Sequence, residues 1–321
     1  NNYQLSRIYK GGYGIMYNSL TEDFNDFVSK ISLNSKEEQD IISKHNGLTD
    51  MIKREPPDGY EIVKTRLSGS YAKHTVLNEY DEEKLPDVDV IIMIESNGKS
   101  VDEINSDFLD YFEKKKGNVT SNIRQQSNSI GLIYSNISVD MVIGVMEDEQ
   151  LKITSNKQHD WIETNCLKHI EYMTKRNEEY EGFSYYSLMK LVKYLNKEIL
   201  NNKLKSYTLE QVVHHCAPKN SVGLRLYQAF AKTLYNITCL SSIQDIKDCC
   251  DDNKKGYDDK DEVCFSSFIE EMKKYSKLAD EALDGDRIKW QEIFGERFPE
   301  QPKDTVKNEA KYDKTQTPWC C

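Results

Sequence analysis

Three aspartates carry the first chemical signal. Asp87 and Asp89 stand one residue apart in PDVDVIIMI, and Asp140 lies in the apolar stretch SVDMVIG. Successive side chains of a strand point to opposite faces, so Asp87 and Asp89 share one face while Val88 and Val90 share the other. Two carboxylates a few ångströms apart repel, and burying them is costly unless a cation sits between them. If the strand of Asp140 lies beside the first, three carboxylates converge. Such a trio can hold a pair of Mg²⁺ ions, or Mn²⁺ in their place, about 3.5–4 Å apart, which activate an attacking hydroxyl and stabilise a departing pyrophosphate. Asp140 is the expected aid to deprotonation of that hydroxyl. Upstream, Gly69 and Ser70 form a turn. Glycine lets the backbone approach a ligand closely, the amides that follow open a short helix suited to phosphate oxygens, and the Ser70 hydroxyl can donate to a terminal phosphate. A lone acidic-x-acidic strand is more often a solvated strand end, and a lone Gly-Ser a plain turn; their succession, with a third aspartate downstream, reverses that balance.

These residues need elements to position them. SLTEDFNDFVSKI repeats its apolar residues at helical spacing from Ser19, and a second helix is expected from Ser35, with SKEEQ as its capping box, toward Ile52. REPPDG breaks the chain, and YEIVKTRL, 60–67, alternates as a strand. EYDEEKLP, 79–86, reads as a polar loop, DVDVIIMIE as a strand, and VDEINSDFLDYFEKKK as an amphipathic helix. IGLIYSNISVDMVIGVM, 130–146, reads as a hairpin turned at Ser135 and Asn136. Beyond residue 150 helices dominate: FSYYSLMKLVKYLNKEIL, TLEQVVHHCA, VGLRLYQAFAKTLYNI, FSSFIEEMKKYSKLADEAL and WQEIFGERF. The acidic stretch 243–262 reads as a surface connection. Strands crowd the first half and helices the second, so the expected fold is α+β. Residues 1–155 would form a catalytic lobe with N-terminal helices and a mixed sheet, 156–300 a helical lobe closing the cleft, and 301–321 a mobile tail.

Composition narrows the classes. The 321 residues are 38% hydrophobic and 30% charged, enough for two packed lobes with solvated surfaces, and the net charge of −11 disfavours a protein that coats nucleic acid. No run of eighteen apolar residues exists, so no membrane span is expected, and no secretory signal pattern opens the sequence. A cytoplasmic location is expected, with the eight cysteines as reduced thiols. HHCAPKN and the pair Cys249–Cys250 raise a zinc reading with His214, His215, Cys216, Cys239, Cys249, Cys250 and Cys264 as candidates. They lack paired C-x₂-C or H-x₃₋₅-H spacing, so ordinary thiols are the expectation.

Gly-Ser, DVDV and VD together resemble the polymerase-β-like nucleotidyltransferases, whose pattern is a hydrophobic–Gly–Gly/Ser turn, an acidic–hydrophobic–acidic strand and a third carboxylate. The gap between Gly-Ser and the first aspartate is longer than usual there, which suits the larger relatives. Two later stretches narrow the resemblance. KSYTLEQVV resembles the Ser-Tyr-x-Leu motif of oligoadenylate and cyclic GMP-AMP synthases, and LMKLVKYLNKEI resembles the lysine-bearing helix of the same family. With GSYAKHT, DWIETN and WQEIFGERFP, the sequence over about residues 19–300 is similar to the bacterial cGAS/DncV-like nucleotidyltransferases. That resemblance implies Ser206 and Lys193 on the triphosphate and Tyr207 stacked on the donor base. It implies a two-lobed enzyme that joins ribonucleoside triphosphates, such as ATP and GTP, releases pyrophosphate and cyclises a di- or trinucleotide second messenger. It further implies antiphage defence with a product-gated effector encoded nearby, and a ubiquitin-transfer-like enzyme acting on the C-terminus, where Cys320 and Cys321 stand. DNA binding is not expected. Nucleotidyl transfer to RNA or protein, and a catalytically silent nucleotide-binding regulator, are the alternatives.

Overall fold

Caps set the ends of the first helices. In the computed structural model, which describes residues 19–78, 86–95, 98–117, 122–135 and 137–300, Ser19 and Glu22 close a capping box on α1 (Leu20–Lys30). Helix α2 (Ser35–Arg54) begins where expected, but its box is Asn34 with Glu37, one residue earlier than SKEEQ suggested. Asn34 has the extended backbone of a cap and accepts from both the Lys36 and Glu37 amides. The loop 79–85, Asn136 and the tail 301–321, with Cys320 and Cys321, lie outside the described residues.

The catalytic-lobe elements follow as β1 (Ile62–Ser68), α3 (Gly69–Ala72), β2 (Asp87–Ile94), α4 (Val101–Lys114), β3 (Asn122–Gln125), β4 (Ile130–Ile133), β5 (Ser138–Glu147), β6 (Gln150–Ser155) and β7 (Asp160–Thr164). Strands β1, β2, β5, β4 and β3 pair in that order, and a β6–β7 hairpin joins the C-terminal half of β5. Among the described residues only β2 and β5 run parallel, so the sheet is mixed. Val88, Val90, Ile92 and Ile94 pack on one face against Ile41, Leu48 and Ile52 of α2 and Ile104, Phe108 and Phe112 of α4. On the other face Ile91 and Met93 meet Leu151, Val142 and Leu167. Beyond the aspartates β2 is therefore covered on both sides, which explains its continuous apolar run.

The second lobe is built from α5 (Cys166–Glu178), α6 (Tyr185–Tyr194), α7 (Ser206–Cys216), α8 (Leu226–Thr238), the hairpin β8 (Lys247–Asp248) and β9 (Asp251–Lys255), α9 (Asp259–Ala282) and α10 (Arg287–Phe294). The acidic stretch 243–262, expected as a surface connection, contains a two-stranded sheet, and α9 starts within it. Helix α6 runs into one π-helical turn at Leu195–Ile199.

The expected lobe boundary after residue 155 differs from the structure in two ways. It cuts the β6–β7 hairpin, whose second strand runs to Thr164. Helix α1 also joins the helical lobe rather than the catalytic one. Phe24 and Phe27 are fully buried among Trp290, Phe294 and Phe298, with Phe24 edge-on to Trp290 at 4.8 Å between ring centres. The buried pair Asp23–Arg287 ties α1 to α10. An amphipathic helix shows which face is apolar, but not which core receives it. Among the described residues no helix is long and apolar enough to cross a membrane.

Candidate active site

Strand register assembles the carboxylates. The parallel pairing sets Asp87 opposite Ser138 and Asp89 opposite Asp140. Side chains at paired positions share a face, so Asp89 and Asp140 stand side by side with Asp87 two residues along. Asp87 lies at the exposed rim, while Asp140 is buried and its Oδ1 accepts from Gln126 Nε2 at 2.7 Å. Burial, reinforced by the Asp87 charge, raises the Asp89 carboxyl to about 6 even with Lys73 and Lys193 opposing it. Burial and the charges of Asp87 and Asp89 raise Asp140 to about 7. Mutual repulsion of this kind is what a bound divalent cation relieves, and an all-oxygen donor set suits Mg²⁺. The residues present therefore fit the implied ions.

Strand β1 runs antiparallel to β2 and delivers its last residue, Ser68, opposite Asp89. The chain then turns at Gly69, with φ +61°, into α3. The short helix thus starts at Gly69 itself. A Cβ on Gly69 would lie 1.7 Å from Asp89 Oδ2, so the turn presses backbone directly against the carboxylate. Only glycine combines this left-handed conformation with that approach.

The helical lobe supplies the facing wall. A cleft of about 460 Å³ is lined by Gly69, Ser70, Asp87 and Asp89 on one side and by Lys193, Ser206 and Tyr207 on the other. Asp140 stands behind that wall, one strand further in. Ser206 and Tyr207 open α7, whose first turn is capped from α9: Asp261 accepts from the Lys205 amide at 3.2 Å and from the Thr208 hydroxyl at 2.5 Å. Tyr207 donates its hydroxyl to Asp248 Oδ2 at 2.9 Å, fixing its ring against the β8–β9 hairpin. Burial and the adjacent Asp248 carboxylate keep that phenol protonated, while Asp248 itself is held at about 2 because hydrogen bonds from His169, the Cys250 amide and Tyr207 outweigh its burial.

Lys193 is buried at the floor of the cleft, where its Nζ donates to Thr75 Oγ1 at 3.3 Å and Glu210 Oε1 at 3.2 Å. Burial lowers its pKa despite the Glu210 partner. Glu210 Oε2 also accepts from Lys73. Burial disfavours the Glu210 charge, but the two ammonium groups prevail and hold the carboxyl at about 2. Lys73 and Glu210 were not singled out in the sequence, although both lie inside the stretches GSYAKHT and SYTLE. Gln126 was missed as well; it sits on an irregular segment that carries no signal. The π-helical turn places Asn196 and Lys197 on the same cleft. Of the zinc candidates, Cys249 and Cys250 lie together near His169, which was not among them. His214 instead bonds Tyr185 at 2.9 Å in the core.

Comparison with known proteins agrees with this architecture. Residues 19–177 match the Second Messenger Oligonucleotide or Dinucleotide Synthetase (SMODS) domain family. A cyclic AMP-AMP-AMP synthase of an Acinetobacter species is 26% identical over 306 residues, spanning 90% of this chain and 88% of the relative. Among solved structures, the CD-NTase CdnG of Bradyrhizobium diazoefficiens in complex with GTP superposes with a TM-score of 0.68 at 12% identity, over 88% of this chain and 96% of that one. CdnC of E. coli MS115-1 with ATP gives 0.64 at 16% identity, over 87% and 99%. A domain match that spans the whole carboxylate-bearing sheet, a relative aligned over both lobes and a fold shared with solved CD-NTases together support the likeness of this chain to the cGAS/DncV-like nucleotidyltransferases.

Proposed function

We propose that the cleft binds a ribonucleoside triphosphate and joins it to the hydroxyl of a second nucleotide, releasing pyrophosphate and then closing a cyclic di- or trinucleotide. The observation that carries this reading is the β2–β5 register, which aligns Asp89 with Asp140 on the face against which the Gly69 turn presses. Asp87, Asp89 and Asp140 would hold two Mg²⁺ ions. When bound, such ions supply charge stabilisation to the attacking and leaving oxygens. Gly69 and Ser70 would bind donor phosphates at the catalytic wall, with Ser206 and Lys193 facing them. Lys73, already oriented by Glu210, adds a second ammonium to the phosphate site. Tyr207 would stack on the donor base, its ring held by the Asp248 contact. Asp140, a carboxyl raised by burial, is the group to take the proton of the attacking hydroxyl. The product would act as a second messenger that gates an effector in antiphage defence.

The test is incubation of the purified chain with Mg²⁺ and the four ribonucleoside triphosphates, followed by mass spectrometry of phosphatase-resistant products. A cyclic oligonucleotide that disappears in Asp89→Asn and Asp140→Asn supports the reading. Label entering RNA or protein would favour transfer to a macromolecule, and triphosphate binding without turnover a silent regulator.

A further inference from the structure

A second cluster of ligand-type groups lies behind the cleft. Cys249 and Cys250 are the two residues that turn the β8–β9 hairpin, between the paired Asp248 and Asp251. His169, in the first turn of α5, meets that tip with Nε2 2.9 Å from Asp248 Oδ2. One imidazole nitrogen, one carboxylate oxygen and both sulfurs lie within 4.8 Å of one another. Asp248 is buried and the other three are partly shielded.

The dimensions match one coordination geometry. With Zn–S bonds near 2.3 Å, two sulfurs on a tetrahedral zinc stand roughly 3.8 Å apart. The Cys249 and Cys250 sulfurs stand 3.7 Å apart. The His169–Asp248 contact is shorter than the roughly 3.3 Å edge that zinc would impose, so it opens slightly around an ion. Mg²⁺ requires hard oxygen ligands in octahedral array, whereas two thiolates, an imidazole and a carboxylate suit Zn²⁺.

An independent observation points the same way. The hairpin is a two-stranded sheet of mostly polar residues that pairs with no other strand among the described residues. Such hairpins are marginal without further support. Ile246 anchors its base in the helical-lobe core, but the tip has no apolar anchor of its own among the described residues of β8, β9 and their turn. Polar contacts nevertheless position the tip: the Cys249 amide donates to Gln211 Oε1 at 2.8 Å and the Cys250 amide to Asp248 Oδ1 at 2.8 Å. Both backbone and carboxylate are thereby oriented, as outer partners orient metal ligands.

We propose that His169, Asp248, Cys249 and Cys250 form a structural zinc site that clamps the β8–β9 hairpin onto α5 and, through Asp248, fixes Tyr207. The four residues are positioning residues and none lines the reacting centre. The consequence for Tyr207 rests on the functional reading above; the zinc site itself does not.

The experiment uses the full chain, purified without chelator. Elemental analysis is expected to find one equivalent of zinc, and Co²⁺ replacing it should give thiolate-to-cobalt absorption. Both signals should vanish in Cys249→Ser/Cys250→Ser and persist in Cys264→Ser and in Cys320→Ser/Cys321→Ser. They should also persist in Asp140→Asn, which separates this site from the catalytic one. In wild type, zinc should slow alkylation of the pair, because a thiolate bound to the metal is withheld as a nucleophile. Removal of zinc with a zinc-selective chelator, assayed with Mg²⁺ in excess, should raise KM for the triphosphate more than it lowers kcat. If the double variant does not fold, the wild-type zinc content and alkylation rates decide. A chain that neither carries zinc nor binds it on reconstitution, zinc retained by the double variant, or a Cys249–Cys250 disulfide as the native state would each overturn the proposal.

Discussion

Gly69→Ala separates backbone strain from site geometry. Alanine at φ +61° carries the left-handed penalty of about 1–2 kcal/mol. The new methyl would also lie 1.7 Å from Asp89 Oδ2, where ordinary contact begins at 3.4 Å. Either Asp89 or the turn must retreat by the difference, about 1.7 Å, and both belong to the proposed site. A misplacement of 1 Å at a reacting centre can cost about a hundredfold, so kcat/KM should fall by about a hundredfold or more. Gly98→Ala is the control. It has φ +74° and nothing within 4 Å of its added Cβ, so it carries the backbone penalty alone. The assay pairs steady-state product formation with thermal melts of both variants. A loss of stability in Gly98→Ala, a loss at least as large in Gly69→Ala, and activity lost only in Gly69→Ala are expected. Activity of Gly69→Ala within a few-fold of wild type would refute the reasoning, because the methyl would then be accommodated without disturbing the carboxylate.

Three further predictions follow from the same geometry. His214 is buried and its pKa is lowered to about 3 from 6.5, so its contribution to stability is complete above pH 6.5 and lost as pH falls toward 3. Between pH 6.5 and 5 this amounts to about 2 kcal/mol, and His214→Gln should remove that part of the acid slope in urea titrations; an unchanged slope would show the imidazole is not the titrating group. Glu210→Gln leaves the Lys73 and Lys193 ammonium groups without their shared carboxylate, and should lower stability by about 3–5 kcal/mol. A triphosphate should then raise the variant's melting temperature more than wild type's, and equal shifts would argue against phosphate contact with these lysines. Phe24→Ala empties a fully buried ring position and should cost about 3–5 kcal/mol. Hydrogen exchange should rise first in α8 and α10 rather than in β2; the reverse would return α1 to the catalytic lobe.

Local chemistry was legible in the residues themselves. Alternation along DVDVIIMIE fixes that Asp87 and Asp89 share a face, and helical spacing with a Ser19 cap locates α1. The short polar strands β7, β8 and β9 were not legible, since DWIET and DDNKK carry little apolar periodicity and depend on their partners for pairing. Lys73 and Glu210 looked like ordinary helix residues, because the buried triangle with Lys193 exists only when α3, α6 and α7 meet.

The amino-acid order by itself determined which side chains lie on a common face and which backbone turn needs glycine, because those follow from φ, ψ and side-chain period within a few residues. Three things only the tertiary structure decided: that Asp140 sits beside Asp89, that α1 buries its aromatics in the distant helical lobe, and that a cysteine pair reaches His169. Strand register and the choice of core are set by contacts between segments far apart in the chain, and an apolar stripe or an alternating strand is compatible with several such partners until the whole chain packs.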